Sequence, residues 1–124
     1  MIEEQYVSFE TAKLAKEKGF DIPTRYGFSE RGTLVRVDTS DNWNQDKGFY
    51  SRPTQSLLAR WLREDRHMCV EVYCIACNFI WNICKTDGTD TKSSEYSGPN
   101  DGGAWDSYED AMENGLQEAL KMIG

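Results

Sequence analysis

Several things are scarce in this chain of 124 residues, and each shortage narrows its function. No apolar run approaches the ~18 residues that span a bilayer, which argues against a membrane-crossing helix and a membrane partner. The first residues, MIEEQY, lack the basic and apolar stretches of a secretion signal, so a cytoplasmic protein is expected. That setting also argues against a disulfide framework. There is no internal repeat and no low-complexity tract. Gly102-Gly103 is a lone pair without a Lys-Ser/Thr partner or a preceding strand, so no phosphate-cradling loop is present. Cations are in the minority, with 14 Lys and Arg against 21 Asp and Glu and a formal net charge of −7. Such a domain repels a polyanion unless a basic face is segregated from the rest.

The imbalance is local. Residues 1–20 sum to −1, residues 21–66 to +1 and residues 67–124 to −7. Between Asp87 and Glu118 there are nine acids and one base, Lys92. Some of these acids, Asp106, Glu109 and Asp110, sit where a helix start favours anions. The basic candidates are Arg52, Arg60, Arg63 and Arg66. Arg60 and Arg63 share a helix face through their i, i+3 spacing, which is the case for nucleic-acid contact. Glu64 and Asp65 lie beside them, and an ordinary solvated helix face is the plainer expectation, so nucleic acid is not the expected partner.

Three helices are legible. Ser8 precedes FETAKLAKEK as a cap, Glu10 suits the first turn, and Gly19 is a left-handed stop. Its apolar stripe of Phe9, Ala12 and Ala15 is narrow. After Pro53, the residues Leu57, Leu58, Trp61 and Leu62 make one strong apolar face, with Arg52 or Thr54 as the cap. Ser107 and Asp110 form a capping box before a helical repeat of Tyr108, Ala111, Met112, Gly115, Leu116, Ala119, Leu120 and Ile123. Gly115 inside that stripe predicts close approach of a neighbouring element.

Two hairpins fill the spaces. TRYGF (24–28) pairs with TLVRV (33–37) around Ser29 to Gly32. Residues 67–86, HMCVEVYCIACNFIWNICKT, are rich in β-branched and aromatic types. A turn at Cys77-Asn78 would set Ala76 opposite Phe79, Cys74 opposite Trp81 and Val72 opposite Ile83 on one apolar face, although Cys-Asn is not a favoured turn pair. The second face carries Glu71, Tyr73, Ile75, Ile80, Asn82 and Cys84. Tyr73, Ile75 and Ile80 are expected under the first helix or a loop, with a homodimer contact as the alternative. Residues 87–106 read as loop. The expected fold is a single α+β domain over residues 1–124. In it, an antiparallel sheet of about four strands, two hairpins, packs against about three helices.

Four cysteines, at 69, 74, 77 and 84, lie close together in sequence, with Cys74 and Cys77 as a CxxC and His67 upstream. A zinc site wants a second pair, and a redox CxxC wants to open a helix after a strand. Here strand alternation puts Cys69 and Cys74 on opposite faces, so reduced structural thiols are expected. A thiol- or metal-dependent enzyme using Cys69, Cys74, Cys77 and His67 stands as the alternative. Asp87, Asp90 and Glu95 miss the spacing of a calcium loop. Trp61 and Trp81 fit the core, whereas Trp43 and Trp105 fall in loops where they could be exposed for contact.

Three stretches, EQYVSFETAKLAKEKGFD (4–21), YSRPTQSLLARWLRE (50–64) and SYEDAMENGLQEALKMI (107–123), carry a resemblance. Together they resemble a group of small uncharacterised proteins of Bacteroides-type gut bacteria and their phages or prophages. The resemblance implies a product of a phage or mobile element and implies no activity, cofactor or catalytic residue. The expectation is therefore a non-catalytic accessory protein that binds a host or phage protein, without cofactor or metal. Arg60, Arg63, Tyr73, Trp43 and Trp105 are its interaction candidates.

Overall fold

In the computed structural model, which describes residues 3–89, 92–93, 98–100 and 104–123, the first helix, α1, spans Phe9–Glu17. Ser8 starts it as the sequence suggests: its Oγ accepts from the Thr11 N–H at 3.3 Å. Gly19, at φ +96°, ends it in the left-handed conformation that glycine adopts without steric cost. The chain then divides into two units, Met1–Leu57 and Leu58–Gly124.

The first unit holds β1 (Thr24–Ser29), β2 (Leu34–Asp41), a 3-10 turn at Trp43–Gln45 and β3 (Phe49–Ser51). The three strands form an antiparallel sheet in the order β2-β1-β3. The first expected hairpin is present, with Gly27 opposite Val35 and Gly32 at φ +83° in its turn. Trp43 is not the exposed loop residue expected of it. It is 6% exposed, its Nε1 donates to the Thr24 carbonyl at 2.9 Å, and its ring lies where a side chain at position 27 would be. Glycine at position 27 lets the indole sit flat on β1, and an aromatic ring of that size contributes most when buried.

The second unit holds the body of α2 (Gln55–Asp65), then β4 (Met68–Ile75), β5 (Asn78–Lys85), β6 (Lys92–Ser93) and α3 (Tyr108–Lys121). Thr54, not Arg52, caps α2, accepting from the Leu57 N–H at 3.1 Å. Ser107 caps α3 through the Asp110 N–H at 3.1 Å. The strands are antiparallel in the order β4-β5-β6, and α3 packs on β4 and β5. At Gly115 a Cβ would stand 3.0 Å from Val70 Cγ1 and 3.1 Å from Trp81 Cβ, so the missing side chain sets the helix-to-sheet distance. Met68, Val70, Trp81, Ile83, Ala111, Leu116, Ala119 and Leu120 are buried here.

The fold class is α+β, as expected, and both hairpins form. Each hairpin gains a third strand, and the described strands lie in two sheets, one per unit. The long hairpin turns one position earlier than expected, which shifts the cross-strand pairing by two residues. Cys74 faces Phe79, Val72 faces Trp81 and Val70 faces Ile83, which leaves Ala76-Cys77 as the turn. Both turn residues have positive φ, 47° and 69°, the conformation of the tight turn that matches strand twist. Because side chains alternate with period two, a two-residue shift keeps every residue on its expected face.

Candidate functional site

The two faces of the β4-β5 sheet differ. Alternation places Val70, Trp81 and Ile83 toward α3. The opposite face carries Cys69, Glu71, Tyr73 and Ile75 from β4 and Asn78, Ile80, Asn82 and Cys84 from β5. Tyr73 and Ile75 were expected to be covered by the first helix or a loop. They are instead 44% and 52% exposed, while Ile80, expected with them, is half-buried. Among the described residues of this face, Glu71 is the sole charge. The Tyr73 hydroxyl donates to the Glu71 carboxylate, and that bond raises the phenol above its ordinary range.

The edges of the sheet differ as well. One side of β5 is taken by β6 and by Trp105, whose main chain exchanges two hydrogen bonds with Phe79 at 2.8 and 2.9 Å. Among the described residues β4 pairs with β5 alone, so its other edge is free. An edge with neither proline nor lysine on it lacks the usual protection against pairing with another chain. At the hairpin tip, Asn100 Nδ2 donates to Asn78 Oδ1 at 2.8 Å and to Asp106 Oδ1 at 2.7 Å. The Phe79 and Tyr108 rings meet edge to face at 6.3 Å, and Tyr108 is 44% exposed. Tyr73, Ile75 and Glu71 thus lie on the outer face of β4, whereas Tyr108 and Asp106 lie by Phe79 and Trp105 on the side of β5 away from β4.

The sequence candidates distribute as follows. Tyr73 lies on the uncovered face. Trp105 is half-buried and works as a strand partner of Phe79, while Trp43 is core. Arg60 pairs with Glu64 on the exposed side of α2, and Arg63 is exposed near Glu64 and Asp65. Cys69, Cys74, Cys77 and His67 do not converge. Cys69 and Cys84 oppose each other on the outer face, Cys74 is exposed on the other face, and Cys77 is in the turn. Partial burial, then neighbouring Cys69 and Glu71, hold the Cys84 thiol above its ordinary range. His67, at φ +58°, is the left-handed residue that separates α2 from β4, a conformation histidine accepts more readily than most. Among the described residues no three His, Cys, Asp or Glu side chains gather to hold a metal ion. Asp87 uses its carboxylate on the Thr89 N–H and hydroxyl at 2.9 and 2.6 Å, which lowers it below the usual carboxylate range. Asp90, Glu95, Gly102 and Gly103 lie outside the described residues.

The sequence did not single out Tyr108 or Asp106 as surface groups. The helical repeat assigns Tyr108 to the α3 stripe, yet as the first residue of the helix it is 44% exposed.

The first unit has a shallow depression of about 320 Å³ lined by Lys16, Phe20, Asp21, Asn42, Asn44 and Gln45. Two of its polar groups, Lys16 and Asn44, are committed to the fold. Lys16 Nζ donates to the Asp46 and Phe49 carbonyls at 2.9 and 2.8 Å. Asn44 bridges the Phe20 carbonyl and the Ser51 N–H.

No described helix is long and apolar enough to cross a membrane. The fold and this surface define a small α+β protein in which β4 presents an exposed outer face and an edge that no other described strand pairs with. Comparison with protein-family profiles, curated proteins and solved structures finds no match.

Proposed function

We propose that this protein is a non-catalytic binding module that takes an extended, basic segment of another protein along β4. The observation that carries the reading is the uncovered face and free edge of β4, in a stretch where acids outnumber bases ten to three. An incoming strand would satisfy the free main-chain groups of the edge and so gain affinity from the backbone. Tyr73 and Ile75 supply apolar area, and tyrosine offers a large rigid body at low entropy cost. Glu71 supplies the charge that selects lysine or arginine on the partner and speeds the encounter. The resemblance of residues 4–21, 50–64 and 107–123 suggests the setting: an accessory product of a phage or mobile element, meeting a host or phage protein in the cytoplasm. The enzyme reading draws no support from cysteines spread over two faces and a turn. The nucleic-acid reading draws none from an Arg60 already paired with Glu64.

The test compares wild type with the double variant Tyr73→Ala/Ile75→Ser, whose two sites are exposed and leave the core intact. A partner retained from bacterial lysate by wild type, released by high salt and lost from the variant supports the reading once its basic segment binds as a synthetic peptide. Equal retention by the variant overturns it. So does a concentration-dependent dimer that Ile75→Ser disperses, because a second copy would then occupy the face.

A further inference from the structure

The pairing of β4 with β5 places two thiols directly opposite one another at Cys69 and Cys84. Both are free and part-exposed, and both point to the face that α3 does not cover. The Thr86 N–H donates to the His67 carbonyl at 2.8 Å, which marks 67 and 86 as a hydrogen-bonded pair. Such pairs alternate along an antiparallel ladder, so Cys69 and Cys84, two positions further in, are another. Their Cα atoms are then about 5.5 Å apart, inside the roughly 4.4–6.8 Å that a disulfide spans. The Cβ atoms of opposed residues stand about 4.5–5.5 Å apart, wider than the ~3.8 Å of a relaxed bridge. Closure therefore pulls against the sheet, and a strained bridge is readily reduced.

We infer that Cys69 and Cys84 form a cross-strand dithiol site that closes to a disulfide by exchange with a low-molecular-weight disulfide and reopens under reducing thiols. One thiolate attacks a sulfur of the small disulfide, forming a mixed disulfide and releasing one small thiolate. The second cysteine, as thiolate, attacks the protein-side sulfur and releases the other. Two protons pass from the cysteines to the departing thiolates. The protein loses two electrons, and the small disulfide gains them. Cys74 and Cys77 differ: strand register points Cys74 to the other face, opposite Phe79, and Cys77 sits in the turn. They serve as internal controls. The inference stands apart from the binding function and holds or fails without it.

The experiment equilibrates the folded full chain with glutathione at graded ratios of oxidised to reduced form, followed by acid quench and peptide mapping. The expected product lacks two hydrogen atoms, carries the Cys69–Cys84 bond without glutathione, and reverts when the ratio is reversed. Cys69→Ser should instead trap glutathione on Cys84, and a Cys74→Ser/Cys77→Ser chain, altered only at exposed sites, should still form the bridge. Glutathione resident separately on Cys69 and Cys84 in wild type overturns the inference. So do both thiols remaining reduced at ratios where Cys74 and Cys77 have reacted, or a Cys74–Cys77 bond in place of the expected one.

Discussion

Gly27 and Trp43 make the sharpest single-residue case. A methyl group at position 27 would stand 2.5 Å from the indole, and the indole is held by its bond to the Thr24 carbonyl and by near-complete burial. Gly27→Ala should therefore destabilise the protein by about 2 kcal/mol, the ordinary cost of overpacking, read as a lower midpoint in chemical denaturation. Neither partner announces this in the sequence. Position 27 reads as one residue of a strand and position 43 as a loop tryptophan, and only the return of the chain over β1 joins them. A second consequence concerns Cys84. Its thiol is held above the ordinary range by partial burial and by Cys69 and Glu71 on the same face. Only the thiolate reacts with iodoacetamide, so the pH midpoint for Cys84 alkylation should lie above the ordinary thiol range, and Glu71→Gln should lower it. The unfolded chain, with the more acidic thiol, releases its proton first as pH rises. Stability from this group is present below the ordinary thiol range and is lost above it.

Among the elements, the caps Ser8 and Ser107 were legible and that of α2 was narrowed to Arg52 or Thr54, because side-chain capping is local: Ser8, Thr54 and Ser107 each accept from an amide three residues on. The turn of the long hairpin was not. Asn78 looks like turn chemistry and Ala76-Cys77 does not, yet Ala76 and Cys77 adopt the positive φ that the turn requires. The pairs Val70–Ile83 and Val72–Trp81, buried except for a half-buried Val72, set the register, and the turn residues follow at a cost of roughly 1–2 kcal/mol each. Cys77→Gly should recover part of that cost. We expect a gain of roughly 0.5–1 kcal/mol, less than the full amount because glycine also loosens the unfolded chain. Thermal or chemical unfolding of the variant beside wild type measures it. The strands β3 and β6 escaped the sequence because each is only three or two residues long, too short for alternation to show. They exist because neighbouring strands offer them an edge.

For the whole chain, what composition foretold is where the charge lies, and what it could not foretell is which surface stays bare. Residues 67–124 carry the entire excess of acid, and the uncovered face of β4 and β5 lies within them. The face sets were legible from period-two alternation. Whether anything covered the second face depended on the rest of the chain, which no local pattern encodes. Tyr73→Ala with Ile75→Ser should leave the unfolding midpoint within about 0.5 kcal/mol of wild type, as expected for exposed sites, while removing the binding. Hydrogen exchange offers the most direct test of the central claim. With a partner retained as above, amide exchange is followed in the free and bound protein. Bound partner should slow the β4 amides between Glu71 and Ile75 that face the free edge. Unchanged exchange along β4, with new protection on α2 around Arg60 and Arg63, would contradict the account.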